Sequence, residues 1–280
     1  MTSAPLEARG LVKTYGDQGV ATRALAGVDL VVAPGESVAI MGPSGSGKTT
    51  LLHVLAGVLA PTSGSVLWRG QDLTTLPDRA RTQLRRSDFG FVFQAGQLLP
   101  ELPADENAAL PLLLAGTPRP TAIDTSRRWL AHLGLAGMER RRPGELSGGQ
   151  AQRVAIARAL VGRPGVVFAD EPTGALDRHT GWEVMQALTT ATRAQGASLV
   201  VVTHDEEVAH WCSRTVHMRD GLIVAEAHAQ PVAPAAGVTA AGATASAAGT
   251  TGPASPTPSP TASQPLPVAL PTAPWSGAAR

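Results

Sequence analysis

The chain has 280 residues, 43% of them hydrophobic, with 23 Lys and Arg against 22 Asp and Glu. That size allows a sizeable buried core, and the near-zero charge gives no electrostatic reason to invoke nucleic acid as a partner. The lone cysteine, Cys212, excludes an intrachain disulfide and reads as a small buried hydrophobe. The N-terminus lacks a signal-peptide pattern, and no apolar run approaches the roughly 18–20 residues of a spanning helix, so a membrane connection is expected only through a partner.

In chain order, residues 6–15, 24–32 and 64–70 look like strands and predict a small antiparallel sheet. Residues 38–41 are the first of three short, continuous apolar runs; the others are 166–169 and 199–202. Such runs suit strands buried on both faces of a parallel sheet. Each passes at once into polar or glycine-rich sequence. Ligands of open α/β sheets sit off the carboxyl ends of the strands, so the three exits are expected to converge on one site. From 48 to 59, Leu51, Leu52, Leu55, Val58 and Leu59 recur at helical spacing, with Pro61 as the stop. Over about 95–162 the strand signal fades, and 125–133 and 149–161 read as helices, predicting a helical insertion in the α/β core; residues 140–142, all arginine, read as a solvated loop. From 230 to the end the sequence is almost entirely Ala, Pro, Thr, Ser and Gly, with Arg280 the only charge. Too few large apolar side chains are present to offset the entropy of ordering it, so 230–280 is expected to be a disordered tail and 5–229 the folded domain.

Three motifs carry chemistry. Gly42-Pro43-Ser44-Gly45-Ser46-Gly47-Lys48-Thr49 fits G-x-x-x-x-G-K-[ST] between a predicted strand and a predicted helix. The glycines let backbone N–H groups turn toward phosphate oxygens, and the helix start adds partial positive charge. Lys48 is then expected to bridge the outer phosphates and Thr49 to hold Mg²⁺, with Thr50 counted among the nucleotide contacts. Residues 166–171 form an apolar strand ending in Asp170 and Glu171, a pair suited to orienting a metal and polarising an attacking water. Leu146-Ser147-Gly148-Gly149-Gln150 precedes an amphipathic stretch. Ser147 with Gln150 is a capping box, and the same glycine-rich helix start is a second anion-seeking terminus that one chain alone does not need.

At these residues the sequence resembles the ABC-transporter ATPases, over about 6–226. The order of motifs carries the resemblance: phosphate loop, Leu-Ser-Gly-Gly-Gln signature, then the Asp-Glu pair. Tyr15 sits where the family stacks an aromatic on adenine. Gln94, closing Phe91-Val92-Phe93-Gln94, resembles the glutamine loop; Ala175-Leu176-Asp177 resembles the aspartate loop, and His204 the switch histidine. The resemblance implies ATP and Mg²⁺ as cofactors, a nucleotide-binding α/β core with a parallel sheet, a small antiparallel subdomain and a helical subdomain. It also implies two copies sandwiching two ATP molecules, each held by one chain's phosphate loop and by Ser147 and Gly149 of the other. Glu171 would act as general base and His204 would contact the γ-phosphate, while Asp170, Thr49 and Gln94 surround Mg²⁺. An integral-membrane permease subunit is the implied second partner, which places the chain at the cytoplasmic face of the membrane. Leu84-Arg85-Arg86, Phe89 to Gln94, Glu106-Asn107 and Asp170-Glu171-Pro172-Thr173-Gly174 look like the lipoprotein-release and macrolide-export branch. The other reading is an ABC ATPase without transport, of the translation or repair type. Such relatives usually carry two cassettes or a long coiled coil, and neither pattern is in this sequence.

Overall fold

In the computed structural model, which describes residues 6–16, 21–94 and 96–228, the three apolar runs are neighbouring strands. They are β3 (Ser37–Met41), β7 (Val166–Asp170) and β8 (Ser198–Val202). With β6 (Phe89–Phe93), β9 (Arg214–Arg219) and β10 (Leu222–His228) they form a six-stranded sheet in the order β10-β9-β3-β8-β7-β6. Pairing is parallel from β9 to β6, and β10 joins antiparallel through a hairpin with β9. The expected antiparallel sheet is there too: β1 (Leu6–Tyr15), β2 (Thr22–Val32), β4 (Ser63–Trp68) and the two-residue β5 (Gln71–Asp72) run in the order β2-β1-β4-β5.

Successive strand residues point to opposite faces, and the two faces have different cores. Val38, Ile40, Phe168, Val200 and Val202 pack with Leu51, Leu52 and Leu55 of helix α1 (Lys48–Leu55) and with the antiparallel sheet. Ala39, Met41, Val167, Ala169 and Val201 pack against the other helices. These are α3 (Ala104–Leu114), α4 (Arg119–His132), α5 (Gly148–Leu160), α6 (Arg178–Gln195) and the short α7 (Glu206–Ala209). Helix α2 (Asp78–Ser87) precedes β6, and α3 to α5 all fall between β6 and β7.

Helix α1 stops four residues before the apolar periodicity does. Gly57 takes φ +63°, its N–H bonds the Val54 carbonyl, and the Val58 N–H reaches back to the His53 carbonyl. Those two bonds are a Schellman turn, which ends the helix ahead of Pro61 and leaves Val58 exposed. Helix α4 begins earlier than its periodicity, at Arg119, because Pro120 fits a first helical turn. Strands β6, β9 and β10 and helices α2, α3 and α6 are additions to the sequence reading. Cys212 is buried, which pushes its thiol up to about 12. Arg140, Arg141 and Arg142 are all exposed, and Arg140 lies 3.8 Å from Asp105 and 3.7 Å from Glu106. Among the described residues no helix is long and apolar enough to cross a membrane. The expected tail, 230–280, lies outside the described residues.

Candidate functional site

The loop from Gly42 to Gly47 joins β3 to α1. A Cβ on Gly42 would sit 2.2 Å from the Met218 carbonyl oxygen, and one on Gly47, at φ +100°, would sit 2.3 Å from the Ala24 carbonyl oxygen. Glycine is therefore required at both positions by close approach as well as by conformation. The Lys48 ammonium donates to the carbonyls of Gly42 and Pro43, at 2.8 and 2.9 Å, so it folds back over the loop. The Ser46 hydroxyl is buried without a hydrogen-bond partner, and the first N–H groups of α1 have no intrahelical acceptor by construction. An anion seated here would find donors already turned inward. Tyr15, at the end of β1, stands beside this loop: its hydroxyl is 3.4 Å from Thr50 Oγ1, and 43% of the residue is exposed. The Lys13 ammonium lies 5.4 Å from the centre of its ring.

Asp170 closes β7 with its Oδ1 3.3 Å from Thr49 Oγ1. Burial raises its carboxyl above the ordinary range, opposed by the Thr49 hydrogen bond and by the positive charges of His53 and Lys48. Glu171 takes φ +46°, a left-handed conformation that costs a non-glycine residue about 1–3 kcal/mol. Its N–H bonds the Val202 carbonyl at 2.9 Å, and its Oε1 lies 2.8 Å from His204 Nδ1. The strained turn thus aims the carboxylate across the sheet toward the exit of β8. Gln94 lies over the same turn, because a Cβ on Gly174 would meet its Nε2 at 2.9 Å, and the Gly174 N–H bonds the Glu171 carbonyl.

The metal question turns on donor type. Thr49, Asp170 and Gln94 offer hydroxyl, carboxylate and amide oxygens, hard donors that suit Mg²⁺. Among the described residues no group of three or more His, Cys, Asp or Glu could hold a metal ion. Three oxygen donors of this kind fit a magnesium ion that keeps several of its waters.

The signature turn is built as its sequence suggests. Ser147 Oγ accepts from the Gln150 N–H at 3.3 Å, and Gln150 Oε1 accepts from the Ser147 N–H at 3.0 Å, which caps α5. Gly148 faces the loop before α6 and Gly149 its first turn: a Cβ on Gly148 would lie 3.0 Å from Leu176 Cδ2, and one on Gly149 2.3 Å from Thr180 Cγ2. Helix α1 packs on β1, β2, β7 and β8, whereas α5 packs on α3, α4, α6 and β6. One chain thus gathers Tyr15, residues 42–50, Gln94, Asp170, Glu171 and His204. It carries Ser147, Gly148, Gly149 and Gln150 on a helix of the opposite face.

Two positioning residues escaped the sequence reading. Gln152, buried on α5, donates its amide to the Phe93 carbonyl at 2.9 Å. Arg158 donates to the carbonyls of Gly96 and Gln97 at 2.7 and 2.8 Å, and burial lowers its pKa. Together they tie the signature helix to the end of β6 before Gln94 and to Gly96 and Gln97 after it. The available signal was a polar side chain at Gln152 in register with buried Ala155, Ile156 and Ala159.

A family profile described as ABC transporter matches residues 25–174. The chain is 47% identical over 224 residues to the lipoprotein-releasing system ATP-binding protein LolD of Geobacter metallireducens, covering 80% of this chain and all of that one. Among solved structures, the ATP-binding cassette MJ0796, described as a dimer in a post-hydrolysis state bound to ADP and Pi, superposes with a TM-score of 0.73 at 38% identity. That match covers 80% of this chain and 99% of the other. The structure of cbiO1 from Clostridium perfringens, part of the ABC transporter complex cbiONQ, gives a TM-score of 0.72 at 28% identity, over 81% and 89% of the two chains.

Proposed function

The chain belongs to the ABC-transporter ATP-binding proteins, and from that premise we propose that two copies close head to tail over two nucleotides and drive a separate integral-membrane permease subunit from the cytoplasmic face of the membrane. The chain is an ATP-binding, ATP-hydrolysing subunit. One observation carries the head-to-tail arrangement. The phosphate loop opens α1, packed on β1, β2, β7 and β8, whereas the signature opens α5 among α3, α4 and α6, and we read the two helix starts as halves of nucleotide sites that a second copy completes. The dimeric MJ0796 cassette supports this reading.

Within each composite site, Lys48 leaves the Gly42 and Pro43 carbonyls for the outer phosphates, and the N–H groups of 44–49 close on them. The exposed face of Tyr15 stacks on the adenine. Magnesium held by Thr49, Asp170 and Gln94 would supply charge neutralisation on the phosphate oxygens. Glu171 takes the proton of the attacking water, oriented by its strained turn and by His204, which reaches the terminal phosphate. Ser147, Gly148, Gly149 and Gln150 of the second copy complete the cradle. Residues 5–229 form this ATPase domain, with the stretch of about 95–162 facing the permease. Full-length likeness to the LolD protein favours lipoprotein release or export over a translation or repair role.

A mixing experiment tests the composite site. Lys48→Ala and Ser147→Arg are each expected to abolish hydrolysis alone. A mixture of the two restores it, because one of the two sites in the mixed dimer has an intact phosphate loop and an intact signature. A mixture that stays as inactive as its components would sink the arrangement.

A further inference from the structure

Beside the site lies a groove that the reaction does not use. Trp182, one turn into α6, is 55% exposed, and its ring stands 5.1 Å from that of Trp211, edge to face at 70°. The two indoles floor a cavity of about 380 Å³ whose walls include Leu176, Asp177 and Asp205, and which opens past His210 into a wider, shallower surface. An ion pair between Arg178 and Glu207 crosses its rim. An aromatic floor inside a charged rim has the composition of a protein contact, and beyond the edge of Trp211 more than half of the Trp182 surface is left open to one.

Position selects the partner. Leu176, in one wall, is the side chain that packs against Gly148 of the signature turn. Asp205, in the other, directly follows His204. The groove is therefore continuous with both halves of the face that the head-to-tail dimer closes. We propose that the Trp182–Trp211 groove is a contact surface for a second copy of this chain, the Trp182 patches of the two copies meeting across the two-fold axis. This rests on the head-to-tail reading and adds to it a contact that involves no nucleotide. A two-fold contact buries the same patch from both copies, so a single substitution removes two indoles per dimer.

The test is sedimentation equilibrium of the full chain carrying Glu171→Gln, in saturating ATP. Adding Trp182→Ala is expected to raise the dimer dissociation constant at least about tenfold, the effect of losing an interface tryptophan, with nucleotide binding to the monomer unchanged. Trp182→Phe should keep most of the affinity. Val224→Ala, which truncates an equally exposed side chain on β10, should leave it unaltered. Dimers of the Trp182→Ala protein as tight as those of the parent would overturn the proposal and assign the groove to some other partner. So would an equal loss from Val224→Ala. A Glu171→Gln parent that stays monomeric in ATP removes the head-to-tail reading itself, and this contact with it.

Discussion

Replacing Glu171 by glutamine isolates the chemistry from the scaffold. Glutamine matches the shape of glutamate, so the turn at φ +46° and the bond from the residue 171 N–H to the Val202 carbonyl persist. The amide oxygen can still accept from His204 Nδ1, where the carboxylate now lies 2.8 Å away. What disappears is the base. General-base catalysis contributes about 10²–10⁴-fold, or roughly 3–5 kcal/mol of barrier, and turnover should fall by that factor. Stability should hardly move, because the His204 side chain is 72% exposed and exposed pairs contribute less than about 1 kcal/mol. Phosphate release at saturating ATP measures the first effect, and equilibrium nucleotide binding and urea denaturation measure what is left intact. Turnover within about threefold of the parent would refute the assignment. A loss of ATP affinity parallel to the loss of rate would do the same, since it would place Glu171 in binding rather than in proton transfer.

Three further substitutions probe the rest of the site. Gly47→Ala forces a Cβ to 2.3 Å from the Ala24 carbonyl oxygen at φ +100°, so nucleotide binding should vanish and stability drop by about 2 kcal/mol or more; a denaturation midpoint equal to the parent's would contradict the clash. Asp170→Asn removes a carboxylate whose pKa burial has raised above its ordinary 3.8. The folded parent therefore loses stability as pH rises from that value through the folded pKa. The variant should be the more stable at neutral pH, with the gap closing toward acid, although its hydrolysis is lost. Urea titrations at the two pH values decide it, and no gain at neutral pH would count against a desolvated Asp170. Ser147→Ala deletes the α5 cap at a cost of about 1 kcal/mol, yet hydrolysis should fall more than tenfold at temperatures where the variant is fully folded. Activity that merely tracks the folded fraction would leave Ser147 a helix cap and nothing more.

How much of this was legible in the sequence depends on how local the determining physics is. Continuous apolar runs reported strands buried on both faces, and β3, β7 and β8 are adjacent in the sheet. The capping box at Ser147 and Gln150 could be read directly, since its two bonds span three residues. The end of α1 could not, because apolar spacing continues through Val58 after Gly57 has already turned the backbone. Gln152 was hidden for a related reason: its partner, the Phe93 carbonyl, is 59 residues away in the chain.

The least legible feature is that Lys48 and Ser147 open helices on opposite faces. Strand order decides it. The crossovers from β6 to β7, from β7 to β8 and from β8 to β9 all advance in one direction along β6-β7-β8-β3-β9. The crossover from β3 to β6, which contains α1, runs the other way. Parallel crossovers are right-handed, so reversing the direction of advance moves the connecting helix to the other face. The cores agree: α1 packs with Val38 and Ile40, while α5, α6 and α7 pack with Ala39 and Met41. The position of β3 in the sheet thus accounts for α1 and α5 lying on opposite faces, the arrangement that the proposed two-copy site uses.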